Sequence, residues 1–87
     1  MKLINLVILP FMSLSIGDKV FLKGPLPYLK TTDSMPMLRP PDLVSIDEAG
    51  EIVGLRSMGL VEVRFRRGTF LISVDKLSLT PLNNHSD

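Results

Sequence analysis

Hydrophobic and polar residues alternate with a period of two along several stretches of this chain, and each such stretch predicts a β-strand. Residues 60–66, LVEVRFR, send Val61, Val63 and Phe65 to one face and Glu62, Arg64 and Arg66 to the other. Residues 69–74, TFLISV, repeat the pattern with Phe70, Ile72 and Val74 inward. Residues 15–23, SIGDKVFLK, set Ile16, Val20 and Leu22 against Lys19, Phe21 and Lys23. Residues 51–57, EIVGLRS, read as a further strand, in which Gly54 marks a bulge or a close backbone approach. The pairs MG at 58–59 and RG at 67–68 supply tight turns, so 51–74 reads as a β-meander. Residues 43–50, LVSIDEAG, are a short apolar piece ending in a turn at Gly50. Asp75 is placed to cap one turn of 3₁₀ helix, after which Leu77 and Leu79 return to the core. No window of eleven or more residues carries the helical period.

These elements describe an all-β fold, a small SH3-like barrel of five to six short antiparallel strands with a long Pro-rich first loop. Its inward set is Ile16, Val20, Leu22, Val44, Ile46, Ile52, Val61, Val63, Phe65, Phe70, Ile72, Val74, Leu77 and Leu79. The organisation expected is an N-terminal extension over residues 1–12, the barrel over 13–80 and a disordered tail over 81–87. The opening MKLINLVILPFMSLS has one lysine before an apolar run that Asn5 and Pro10 interrupt. Residues 1–11 therefore read first as an extension upstream of a start at Met12. An ordered arm or extra strand, or a weak targeting signal, are the alternatives; the run is too short to span a bilayer.

The loop from 25 to 42 is the exception to the pattern. It holds five of the chain's seven prolines, at 25, 27, 36, 40 and 41, and repeats neither at 2 nor at 3.6. It reads as a segment that forms neither helix nor strand, yet it is too apolar for a linker. One reading makes it a stiff lid, with Leu26, Tyr28, Leu29, Met35, Met37 and Leu38 closing one end of the barrel. The other makes it an interaction surface. Prolines reduce the ordering entropy that binding costs, and Tyr, Met and Arg suit interfaces. Long loops in compact domains are usually functional.

Composition removes several function classes. Ten basic residues against nine acidic give a net charge of +1, too little for a general nucleic-acid binder or an electrostatic membrane anchor. There is no cysteine, which excludes thiol nucleophiles, disulfides and zinc–thiolate sites and fits a reducing, cytoplasmic setting. The one histidine, His85, lies in the tail, so no placed general base accompanies the serines. Asp47 and Glu48 beside Gly50 read as turn chemistry. No metal cluster or phosphate cradle is present, so no catalytic residue, metal, cofactor or small-molecule substrate is expected. The densest basic patch is VRFRRG, 63–68, with Arg64 and Arg66 on one face and Arg67 at the turn, next to Glu62. It reads as a solvated strand face or as a contact for an anion or an acidic protein. GDKVFLKG followed by AGEIVGL is similar to the KOW type of RNA-binding barrel, but residues 25–48 intervene and the charge is low.

LPYLKTTDSMPMLRPPDLV, then GEIVGL, VEVRFRRGTFLIS and a last pair of leucines resemble the cyanobacterial SipA family. Its members carry the segment L-P-P-Y-x-K-T-A-D-x-M-P-M-L-R-P-P-x-[LV] and a V-R-F-x-x-G-x-F-L strand pair. The resemblance covers residues 16 to about 79. Leu26, Thr32 and Ser34 replace Pro, Ala and Pro, SMG at 57–59 replaces a turn richer in Gly and aromatics, and residues 1–11 have no counterpart. The resemblance implies an SH3-like barrel acting as a non-enzymatic adaptor that binds the sensor histidine kinase NblS in high-light and nutrient-stress signalling. Plant chloroplast relatives are implicated in the accumulation of an NAD(P)H dehydrogenase-like complex. Contact residues follow from the residue types instead: Tyr28, Lys30, Met35, Met37 and Arg39 as the main surface, with Arg64 and Arg66 as an electrostatic rim. A KOW-like RNA or ribosome binder and a factor for assembling a photosynthetic complex are the competing functions.

Overall fold

Strand formation follows the alternating stretches closely. The computed structural model describes residues 14–81; the expectations for residues 1–13, for residues 82–87 and for His85 lie outside them. The strands are β1 (Lys19–Leu22), β2 (Leu29–Thr31), β3 (Leu38–Arg39), β4 (Gly50–Leu55), β5 (Leu60–Phe65), β6 (Gly68–Ser73) and β7 (Leu77–Ser78). They lie in the order β3-β2-β6-β5-β4-β1-β7, every neighbouring pair antiparallel. Single 3₁₀ turns occur at Pro41–Leu43 and Val74–Lys76. The fold is all-β, as the pattern predicts. No pairing joins the outer strands β3 and β7 among the described residues.

The meander β4–β5–β6 is the centre of the sheet. Val61, Val63 and Phe65 on β5 and Phe70 and Ile72 on β6 point inward, and Val63 pairs with Phe70 and Ile52. With Val20, Leu22, Leu29, Val44 and Leu77 they make one buried cluster. Between Ile52 and Gly54 the register of β4 against β5 slips, so Val53 is the extra residue of a β-bulge. A bulge was one of the two readings of Gly54, and the close approach is present as well, since a Cβ there would lie 2.6 Å from the Glu62 side chain. Arg66 and Arg67 turn the chain from β5 to β6, where Phe65 pairs with Gly68. At the β4–β5 turn Met58 and Gly59 both take left-handed dihedrals, φ 63° and 73°, which match the twist of a two-stranded ribbon.

Several expectations are corrected. The strand predicted over 15–23 narrows to β1, because Gly17 at φ 99° turns the chain and Asp18 N–H donates to the Ser15 carbonyl. Ile16 consequently faces solvent, and so does Leu79, beyond the end of β7. Ile46 and Val74 are partly buried, packed against the rim of the core. Gly50 is not a turn residue. It opens β4, pairs with Val20 and is buried where a Cβ would lie 2.6 Å from the Phe65 ring and 2.7 Å from Val63. Asp75 is not the cap of its 3₁₀ turn. Ser73 holds that position, and its hydroxyl donates a 2.6 Å hydrogen bond to the Asp75 carboxylate inside the turn.

The largest correction concerns the Pro-rich segment, which contains two strands. Leu29–Thr31 has no proline, so its N–H groups are free to pair, and β2 adds to β6 through Lys30 opposite Leu71 and Thr31 opposite Phe70. β3 is the outermost strand and is bracketed by Pro36 and by Pro40–Pro41. Proline is tolerated at such an edge because no further strand needs its missing donor, and it stops another chain from extending the sheet. Seven strands thus replace the five or six expected.

Candidate functional site

The β2–β3 hairpin is closed at its tip by one residue pair. Thr31 N–H donates to the Met37 carbonyl and Met37 N–H donates to the Thr31 hydroxyl, each at 2.9 Å. The loop 32–36 is held outside that pair. At the other end Pro40 is extended (φ −60°, ψ 140°) and Pro41 opens the 3₁₀ turn, a position that needs no N–H. That turn brings Val44 back into the core. Pro25 and Pro41 line the same small groove with Leu22, Leu26, Val44 and Ile46. The hairpin is therefore anchored at its base by apolar contacts and at its tip by hydrogen bonds.

Its side chains divide between lid and surface. Leu29 is 1% exposed, and Leu26 and Leu43 pack against the core. Tyr28 (49%), Met35 (81%), Met37 (56%) and Leu38 (62%) face solvent. These are four large apolar side chains on one short hairpin whose burial would be favourable once a partner covered them.

Strand alternation separates the residues picked from the sequence. Lys30 sits opposite Leu38 and next to Leu71, so these three share the outer face of the sheet. Met37 and Arg39 belong to the other side of the hairpin. There they line an open groove of about 420 Å³ together with Thr31, Thr32, Asp33, Arg67, Gly68, Thr69 and Phe70. Met35 is at the hairpin tip and Tyr28 just precedes β2. The hairpin thus presents two faces rather than a single contact patch.

The basic patch at 63–68 does not act as one unit. Arg64 is directly opposite Glu51, and its guanidinium is ion-paired with that carboxylate. Arg56 is paired in the same way with Glu62, across the β4–β5 hairpin. Arg66 is exposed, and its backbone N–H donates to the Glu48 carboxylate at 2.9 Å, tying the β5–β6 turn to the segment before β4. Arg67 joins the groove that holds Arg39. Arg39, Arg66 and Arg67 form no ion pair among the described residues. The association of Arg67 with Arg39 was not visible in the chain, because it depends on β2 pairing with β6. Away from this region, the Ser73 hydroxyl holds the Asp75 carboxyl below the usual carboxylate range, opposed by desolvation and helped by Lys76 and Lys23.

Among the described residues no group of three or more His, Asp or Glu side chains could hold a metal ion, and no helix is long and apolar enough to cross a membrane. The hairpin, the groove and the meander all lie inside one matched segment. Residues 16–77 match the family model for Protein CHLORORESPIRATORY REDUCTION 42-like. The chain belongs to the chlororespiratory reduction 42-like family. The match runs from the turn before β1 to the start of β7 and takes in the whole Pro-rich hairpin. No curated protein and no solved structure matches the chain.

Proposed function

We propose that the protein is a cytoplasmic, non-enzymatic protein-binding factor that supports the accumulation of a photosynthetic NAD(P)H dehydrogenase-like complex, using the Pro-rich hairpin as its contact surface. The family match over residues 16–77 carries this reading, since that family is named for chlororespiratory reduction. The hairpin supports it physically. Its base is fixed in the core by Leu29 and Val44, while Tyr28, Met35, Met37 and Leu38 are exposed. A rigid element with uncovered apolar side chains loses little entropy when a partner covers it. The test is a deletion of the chain in its native cell, with the complex followed on native gels. Reduced complex and co-migration of the tagged chain with assembly intermediates are expected. Undiminished complex without the chain refutes the reading.

A second reading, an adaptor for an NblS-like sensor histidine kinase, is favoured by the segment from Leu26 to Val44, which resembles SipA. Here the wild-type chain retains the kinase's cytoplasmic portion in a pull-down and the doubly substituted Tyr28→Ala, Arg39→Ala chain does not. Equal retention by both folded proteins removes this surface from consideration. RNA binding is the weakest reading, because Arg56 and Arg64 are already engaged by carboxylates. Its signature would be an affinity for RNA that falls steeply with salt.

A further inference from the structure

We propose that the groove between the β2–β3 hairpin and the β5–β6 turn receives a carboxylate of a partner polypeptide, bound by Arg39 and Arg67 and flanked by an apolar side chain on Met37. This deepens the protein-binding reading above and rests on it.

The arginines of the sheet supply an internal comparison. Arg56 and Arg64 each have a carboxylate partner within the fold, Glu62 and Glu51. Arg39 on β3 and Arg67 in the β5–β6 turn have none among the described residues, and the pairing of β2 with β6 brings both to one groove of about 420 Å³. Guanidinium groups present a planar fork of donors that matches a carboxylate. Thr31, Thr32 and Thr69 also line the groove. The Thr31 hydroxyl accepts from Met37 N–H, which leaves its own proton available to donate. Asp33 is the one acidic residue of the lining; it forms no ion pair with either arginine, so the lining keeps a formal charge of +1 and both guanidinium groups lack a carboxylate contact. Met37 on the same wall is a deformable apolar contact. The chemistry selected is an acidic residue next to an aliphatic one.

The test uses the full chain, labelled with ¹⁵N, titrated with the peptide acetyl-Leu-Glu-Leu-Asp-amide. The control peptide is acetyl-Leu-Gln-Leu-Asn-amide, and inorganic phosphate is titrated separately. Expected are amide shifts confined to residues 31–33, 37–39 and 67–70 with the acidic peptide and none there with its neutral analogue. R39Q and R67Q each weaken binding about ten-fold, the loss of one charge-assisted hydrogen bond, whereas R56Q leaves it unchanged. The amide spectrum of each variant reports that the fold is intact. Three results overturn the proposal: no groove shifts at millimolar peptide, equal shifts with the neutral peptide, or equal affinity in R39Q and R67Q. Groove shifts with phosphate but none with the acidic peptide overturn it too, since they assign the groove to free anions. If the native complex still binds R39Q and R67Q as it binds wild type, the groove assignment fails and the protein-binding reading survives. If wild type itself does not associate, that reading fails independently of the peptide result.

Discussion

Two hairpins of this protein are built in opposite ways. The β5–β6 hairpin is a run of alternating residues with a two-residue turn, and it pairs over six residue pairs from Leu60–Ser73 to Phe65–Gly68. The β2–β3 hairpin pairs at two positions, Leu29–Arg39 and Lys30–Leu38, and is bounded by prolines instead of by more strand. The first sends Val61, Val63, Phe65, Phe70 and Ile72 into the core. The second sends one, Leu29, inward and leaves Tyr28, Met35, Met37 and Leu38 in solvent. A hairpin that stabilises needs the period of two. A hairpin that presents side chains needs a fixed backbone, which proline supplies without satisfying an inner face.

The comparison can be broken most severely at Phe70, buried on β6 where β2 and β5 both pair. Phe70→Ala is expected to cost about 3–5 kcal/mol, read as a lower urea midpoint. A loss below that of an exposed residue would show that the meander is not the stabilising half. Leu29→Ala is the sharper test, because it asks whether the Pro-rich hairpin belongs to the core. With Leu29 buried, a loss of about 2–5 kcal/mol is expected. An unchanged midpoint would mean that the hairpin folds back on the sheet without contributing to it. Gly50→Ala adds one methyl against the Phe65 ring and Val63 and is expected to cost about 1–3 kcal/mol. The same change at Gly24, where nothing lies within 4 Å, is the control. Met58→Asn should stabilise by under about 1 kcal/mol, because Asn tolerates the left-handed φ that Met58 is forced to adopt; a destabilised variant would reverse this account of the turn. Smallest of all, Tyr28→Ala combined with Met35→Ala should shift stability by no more than about 0.5 kcal/mol while weakening partner capture. Coupled losses in both measurements would make these residues structural.

Legibility differed between the same two regions. The meander and its inward residues were readable because burial on one face imposes alternation along the chain, and Gly54 marked the position of the bulge without separating it from a close backbone approach. Ile16 and Leu79 were misjudged by the same rule, which marks a face but not where a strand stops. The strands β2 and β3 were unreadable, since three and two residues are too few to show a period and prolines mask them. The exposed apolar residues of the hairpin were recognisable by type, but not their division between two faces, with Lys30 and Leu38 on one and Met37 and Arg39 on the other.

The chain by itself determined an all-β fold and which residues of its central strands face inward, because both depend on local period; its contiguous Pro-rich motif suggested the SipA family, whereas the family matched is chlororespiratory reduction 42-like. Tertiary structure alone decided that β2 pairs with β6, that Gly50 must lack a side chain, that Arg64 is neutralised by Glu51 and that Arg39 shares a groove with Arg67. Those outcomes depend on which distant strands lie side by side, and pairing between strands leaves no period along either one.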